Sequence, residues 1–138
     1  MTHPLEVAAQ EAWLRSKRNS FTLKELARGD IRPPEPLFEG LLLHQTLTMI
    51  SGEPFTGKTL FQIATALSLA TGKPLFGKFT PNGLRRVLFI GQDAPTWDYA
   101  GQTMKLARGY GLTDADLEHA EVDFILNEGV VITDAVFM

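Results

Sequence analysis

One stretch of the chain decides the fold, and it reads Gly52-Glu-Pro-Phe-Thr-Gly57-Lys58-Thr59. It matches the pattern G-x-x-x-x-G-K-[S/T], which fixes the spacing of two glycines, a lysine and a hydroxyl residue. The glycines permit backbone angles and close approaches that a side chain would block, so the loop can turn its N–H groups inward. A helix that begins at Lys58 adds its positive N-terminal end. These features together predict a phosphate-binding loop.

The loop predicts a nucleotide site with ATP and Mg²⁺ as its cofactors. Lys58 is expected to reach the outer phosphates as a point charge, and Thr59 is expected to bind the Mg²⁺ that bridges phosphate oxygens. Whether the ring of Phe55, at the crown of the loop, touches the ligand is left open. The predicted nucleotide-binding residues are Gly52, Glu53, Pro54, Phe55, Thr56, Gly57, Lys58 and Thr59.

The segments around the loop alternate between strand and helix patterns. A strand rich in β-branched residues precedes the loop, and a uniformly apolar strand lies between two amphipathic helices. Such alternation predicts an α/β fold with a mainly parallel sheet flanked by helices. The predicted elements are strand Thr46–Ser51, helix Lys58–Thr71 ending at Gly72, strand Val87–Ile90, a helix from Thr96 to about Arg108, a short helix Thr113–Ala120, and strands Asp123–Leu126 and Val130–Thr133. The last two strands are predicted to form a hairpin across Asn127–Gly129.

The N-terminal part has a different pattern. Residues 4–16 have helical periodicity, and Thr22 with Glu25 forms a capping box for a short helix Leu23–Arg28. The prolines of Ile31–Pro36 forbid helix and predict an extended linker. We therefore expect residues 1–36 to be a small helical appendage with its linker, and residues 37–138 to form the main unit that contains the phosphate loop.

Composition excludes several classes of protein. The chain has 138 residues, no cysteine and a net charge of -3. The absence of cysteine excludes disulfides and thiol nucleophiles and fits a reducing cytoplasm, the expected location. No apolar run approaches the length of a membrane span, and no signal-peptide pattern is present. His3, His44 and His119 have no metal-ligand spacing. The segment after Arg108 has seven acidic residues and no basic one, so it is either a solvated acidic face or a surface with basic partners elsewhere.

The stretch Pro34–Leu126 resembles RecA-type ATPases, in the branch of the RepA-like hexameric replication helicases. The resemblance rests on the order of PEPLFEG, TLTMIS, the phosphate loop, FQIATALSLATG, PLFG, VLFIGQDAP and ARGYGL. It implies an ATPase that assembles as a ring or filament, hydrolyses ATP at subunit interfaces and works on DNA, with single strands favoured. It implies no membrane partner.

Two departures from that family affect the expected chemistry. Where the family often has Glu-Asp after the apolar strand, this chain has Gln92-Asp93. A glutamine can orient water but cannot accept its proton, and Asp93 could take the place of the glutamate if the strand ends one residue later. The candidate catalytic residues are therefore Lys58, Gln92 and Asp93. Asp93 could equally cap a helix. In addition, Val130–Asp134 resembles a Walker B strand only superficially and is interpreted as the hairpin strand. The resemblance therefore implies that the sheet is incomplete at the C-terminus, and we expect residues 37–138 to be the N-terminal part of a longer RecA-like ATPase domain or of a truncated relative.

Two other functions fit the same loop. A small-molecule phosphoryl-transfer enzyme would need an arginine-rich lid, which the acidic segment after Arg108 does not offer. A non-catalytic, nucleotide-responsive binding module is consistent with Gln92 and with the missing Walker B acid. The aromatic residues Trp97 and Tyr99 are predicted to pack against the sheet, with stacking on a base as the alternative.

Overall fold

The computed structural model of the chain describes residues 6–11, 13, 21–29 and 31–129. The chain divides into two compact units, residues 1–33 and 34–138. In the first unit, residues 6–11 and 13 are helical, and helix α1 spans Leu23–Ala27. The Thr22 hydroxyl accepts a hydrogen bond from the Glu25 N–H at 3.3 Å, and the Glu25 carboxylate accepts one from the Thr22 N–H at 2.6 Å. The predicted capping box is therefore confirmed.

The second unit begins with a small antiparallel pair that the sequence patterns did not predict. Strand β1 spans Pro36–Phe38 and strand β2 spans Leu42–Leu43. Phe38 is fully buried and packs with Ala64, Leu69 and Leu75 in one of the two clusters of the core. Strands this short carry no readable alternation of apolar and polar residues, so only their packing reveals them.

Helix α2 spans Lys58–Thr71, as predicted. Its buried face includes Ile63, Ala64 and Leu67, because these positions recur at helical spacing and meet the core. The Gly72 N–H donates to the Ser68 carbonyl at 2.9 Å and ends the helix. The first turn of α2 therefore lies directly after the phosphate loop, while its later turns are held in the core.

A parallel strand pair forms the main sheet of the described chain. Strand β3 (Val87–Gly91) pairs with β4 (Val122–Leu126) in register from Val87 opposite Val122 to Gly91 opposite Leu126. The connection contains helices α3 (Thr96–Gly109) and α4 (Asp114–His119). The predicted β-α-β order of this part is confirmed, and both strands end at the same edge.

The second cluster of the core joins α2, α3 and the parallel pair. Phe89 packs against Tyr99 at 5.8 Å between ring centroids and against Phe124 at 5.3 Å. Ile63 and Leu67 of α2 complete the contacts with this aromatic group. These contacts fix the beginning of α3 relative to α2. Both helices contribute residues to the candidate site.

The predicted strand Thr46–Ser51 is not formed, and this prediction is wrong. Residues 46–53 have no regular secondary structure, and Leu47 and Met49 are 96% and 87% exposed. Thr48 and Ile50 face β3 across an open cleft instead of pairing with it. A β-branched composition favours a strand only where a neighbouring strand supplies hydrogen bonds and packing, and no described strand pairs with this segment.

The turn after β4 is tied to the end of β3. The Asn127 N–H donates to the Gly91 carbonyl at 2.8 Å, and its side-chain amide donates to the Ala94 carbonyl at 3.0 Å. The predicted strand Val130–Thr133, and with it the hairpin, lies outside the described residues.

Asp123, one of the acids after Arg108, forms an exposed ion pair with Arg86 at 2.8 Å.

Candidate nucleotide-binding site

The phosphate loop leads into the N-terminus of α2. Gly57, the residue before the helix, has φ 89°, a left-handed angle that favours glycine. It has no side chain to cap the helix, so the first-turn N–H groups of α2 are left without a side-chain acceptor from this position. A helix N-terminus in this condition favours an anion, and phosphate oxygens are suitable acceptors.

The Lys58 ammonium group lies folded over the loop. It donates to the carbonyl oxygens of Gly52 at 2.8 Å and Glu53 at 2.6 Å, and it is 3.5 Å from the Thr56 hydroxyl. The Thr56 hydroxyl donates in turn to the Glu53 carbonyl at 2.8 Å, which closes the loop on itself. An ammonium group has three donors. A bound phosphate would therefore replace at least one of these loop contacts.

Phe55 stands at the crown of the loop with its ring fully exposed, at 104% of the reference area. Its φ is 63°, an angle that is unfavourable for a bulky residue. The side chain also lines the open cleft beside the loop. A fully exposed aromatic ring beside the cleft is accessible to a ligand or a partner.

A cleft of about 350 Å³ opens between the loop and helix α3. On one side lie the loop residues and the first turn of α2, and on the other lies the first part of α3. The Gln102 side-chain amide donates to the Asp98 carboxylate at 2.8 Å within this second wall. The residues that line the cleft are Phe55, Thr56, Gly57, Lys58, Thr59, Leu60, Ala94, Asp98 and Gln102.

The predicted site residues are only partly brought together. Five of the eight loop residues, from Phe55 to Thr59, line the cleft. Gly52 and Glu53 contribute through the carbonyl oxygens that hold Lys58. Thr59 is half-buried beside Lys58, so its hydroxyl belongs to the same cleft as the phosphate-binding lysine. This placement fits a metal ligand that acts together with phosphate oxygens.

The two predicted catalytic residues after β3 lie elsewhere. The strand ends at Gly91, and both Gln92 and Asp93 are exposed and do not line the cleft. The Asp93 N–H donates to the Tyr99 hydroxyl at 3.2 Å, so its backbone is used to connect the strand end to α3. The chemical roles of Gln92 and Asp93 stay predictions.

The beginning of α3 holds the residues that the sequence patterns did not single out. Tyr99 is buried as predicted, whereas Trp97 is 75% exposed, so its predicted packing against the sheet is wrong. Asp98 and Gln102 are one helical turn apart and share the face that meets the cleft. The sequence feature that could have identified these two residues is their i, i+4 spacing just after a strand end, because strand ends and phosphate loops meet at one edge of an α/β sheet.

The described residues contain no group of three or more His, Cys, Asp or Glu side chains able to hold a metal on their own. A metal ion at this site would therefore depend on the nucleotide as well as on protein oxygens. None of the described helices has the length and apolar character needed to cross a membrane.

Comparison with known proteins supports the assignment made from the loop. Residues 14–126 match a protein-family model described as an AAA domain, which covers more than half of the chain. No curated protein matched the chain, and neither did any solved structure.

Proposed function

Because the chain belongs to the AAA domain family and is a P-loop ATPase, we propose that it works as a RecA-type motor on DNA. In this proposal it is related to the RepA-like replicative helicases and hydrolyses ATP at the boundaries between subunits. The single observation that carries the proposal is the phosphate loop, with left-handed Gly57 leading into an uncapped helix and Lys58 beside it.

The residues of the loop divide the binding of ATP between them. The first-turn N–H groups of α2 donate to phosphate oxygens, and Lys58 leaves its loop carbonyls to reach the outer phosphates. The Thr59 hydroxyl offers an oxygen ligand in the same cleft. When bound, Mg²⁺ neutralises charge on the outer phosphate oxygens. The chain itself supplies the position and orientation of the phosphates.

The DNA and assembly parts of the proposal have separate support. The role on DNA is supported by the resemblance of Pro34–Leu126 to the RepA-like helicases. Assembly is supported by the open cleft and by Phe55, a fully exposed aromatic residue at its rim that a neighbouring subunit could cover. We therefore propose a ring or filament in which the loop of one subunit faces the next.

A second candidate function is a nucleotide-responsive binding module without hydrolysis. It is favoured by Gln92, which stands where the resembling family often has glutamate and which lies outside the lining of the cleft. Such a module would bind ATP at the same loop but would not turn it over.

The proposed site predicts a large effect of Lys58→Ala on nucleotide affinity. The substitution removes a charge-assisted contact with phosphate, so we expect ATP affinity to fall roughly tenfold to a hundredfold, or about 1.5–3 kcal/mol. Isothermal titration calorimetry with Mg-ATP measures this. Lys105→Ala is the matched control, because Lys105 is an exposed lysine of α3 that does not line the cleft. Equal affinities in the two variants would contradict the proposed site.

Hydrolysis separates the two candidate functions. The motor predicts phosphate release that rises when single-stranded DNA is added, and the binding module predicts ATP binding with no release. A phosphate-release assay on the wild-type chain and on Lys58→Ala, with and without a single-stranded oligonucleotide, makes this distinction.

A further inference from the structure

The wall of the cleft opposite the phosphate loop is built by α3 and by the segment just before it, and the loop motif does not account for this wall. Ala94, Asp98 and Gln102 form this wall, and Lys58 and Thr59 lie on the other side. Among the described residues that line the cleft, Asp98 has the one carboxylate. A carboxylate in the same cleft as a phosphate-binding lysine needs an explanation, since it would repel phosphate directly.

The Asp98 carboxylate is held in place within the wall. Asp98 is in the first turn of α3 and Gln102 is one turn later, so the two side chains lie on one face. The Gln102 amide donates to one carboxylate oxygen of Asp98 at 2.8 Å, and both residues are half-buried. A carboxylate has about four lone-pair sites, so this single bond leaves Asp98 able to accept others from the cleft.

We infer that Asp98, oriented by Gln102, is a positioning residue for magnesium: its carboxylate would accept hydrogen bonds from the waters of an ion that Thr59 and the nucleotide would hold. Mg²⁺ keeps several waters in proteins and is held by one or two carboxylates together with substrate phosphates. Thr59 offers only a neutral hydroxyl, so a carboxylate at this site would have to come from another element. Asp98 meets this need from within the cleft. The inference rests on the proposed nucleotide site.

A purely structural role for Asp98 is distinguishable from this one. An acidic residue in the first turn of a helix also stabilises the helix through the charge at its N-terminus, and Pro95 provides no side-chain cap for α3. Loss of that effect would lower the stability of the folded chain. It would leave the dependence of ATP affinity on Mg²⁺ unchanged.

The test compares ATP affinity in Mg²⁺ and in EDTA by calorimetry, for the wild type and Asp98→Asn. We expect Asp98→Asn to reduce the gain in affinity from Mg²⁺ about tenfold or more, since it removes charge-assisted hydrogen bonds. Affinity in EDTA should stay equal or rise, because a negative charge near the phosphates is lost. Asp114→Asn is the matched control, since Asp114 is an exposed first-turn acid of α4 and should behave as the wild type.

Two further variants keep the inference testable if Asp98→Asn is poorly folded. Asp98→Glu should retain part of the Mg²⁺ effect, and Gln102→Leu should lose part of it because the carboxylate is no longer oriented. An unchanged Mg²⁺ gain in Asp98→Asn, with weakened binding in Lys58→Ala, would overturn this inference alone. A wild-type chain that binds no ATP, or a Lys58→Ala chain that binds it normally, would overturn the proposed function as well.

Discussion

At the residue scale, the clearest constraint is the contact between Gly91 and Tyr99 at the end of β3. A Cβ built on Gly91 would lie 2.6 Å from the Tyr99 ring, well inside van der Waals contact. Tyr99 is buried and its hydroxyl accepts the Asp93 N–H, so the ring cannot move aside without breaking that bond. The absence of a side chain at Gly91 is what lets α3 approach the strand end and bring Asp98 to the cleft.

Gly91→Ala is therefore expected to destabilise the fold by about 1–3 kcal/mol, the usual cost of overpacking a core. Gly101→Ala is the matched control. Gly101 lies within α3 with open space around its Cβ position, so alanine there should stabilise the chain by roughly 0.5–1 kcal/mol. Urea unfolding of both variants measures the two changes. Equal stabilities would show that the Gly91–Tyr99 contact is looser than described.

At the element scale, α4 shows how a short helix is secured by its cap. The Thr113 hydroxyl accepts from the Asp116 N–H at 3.2 Å, and the Asp116 carboxylate accepts from the Thr113 N–H at 2.8 Å. Hydrogen bonds from the Thr113 backbone and hydroxyl lower the pKa of Asp116 below its ordinary value of 3.8. Because the pKa of Asp116 is lower in the folded chain than in the unfolded chain, its carboxylate stabilises the folded state fully at pH values above the unfolded pKa. It is lost as pH falls through the folded pKa.

Thr113→Ala should cost about 1 kcal/mol of stability near neutral pH. The loss should shrink as the pH falls below 3.8 toward the lower pKa of folded Asp116, where this carboxyl becomes protonated. The pKa of Asp116, followed by NMR titration, should rise toward its ordinary value in this variant. Thr22→Ala removes the same kind of cap from α1 and should leave the titration of Asp116 unchanged. A pKa of Asp116 that is identical with and without the Thr113 hydroxyl would contradict the capping argument.

At the scale of the whole molecule, the described surface has large apolar side chains that the fold does not cover. Leu47, Met49 and Phe55 are at least 87% exposed, and they lie in or just before the phosphate loop. Exposed apolar residues close together in the chain favour association, and this fits the ring or filament proposed above.

The double variant Leu47→Ser with Met49→Ser is expected to lower the average mass in solution, measured by multi-angle light scattering, because it removes apolar area from an association surface. Its thermal stability should change little, since both side chains are exposed. Leu23→Ser is the matched control, as Leu23 is 82% exposed in α1 of the first unit. If the double variant unfolds more easily while its mass is unchanged, these residues belong to the core rather than to an association surface.

The sequence alone determined the features of this protein that depend on neighbours along the chain. The phosphate loop, helix Lys58–Thr71 and the capping box of Thr22 with Glu25 could be predicted because glycine angles, helical periodicity and side-chain caps act over three to eight residues. For the candidate site, local sequence identified Lys58 and Thr59, and both line the cleft. These are local interactions, and their physical causes can be read directly from the order of the residues.

Only the tertiary structure decided what depends on contacts between distant segments. The sequence predicted a parallel β-α-β unit, but the register of β3 with β4 rests on hydrogen bonds across more than 30 residues. The same requirement left Thr46–Ser51 without a partner among the described strands, despite its strand-like composition. Asp98 reached the cleft because the Phe89–Tyr99 contact and Gly91 set the approach of α3. Whether a strand forms, and which residues line the far wall of a cleft, both depend on packing between distant segments. The local conformational preferences of the residues are too weak to determine either.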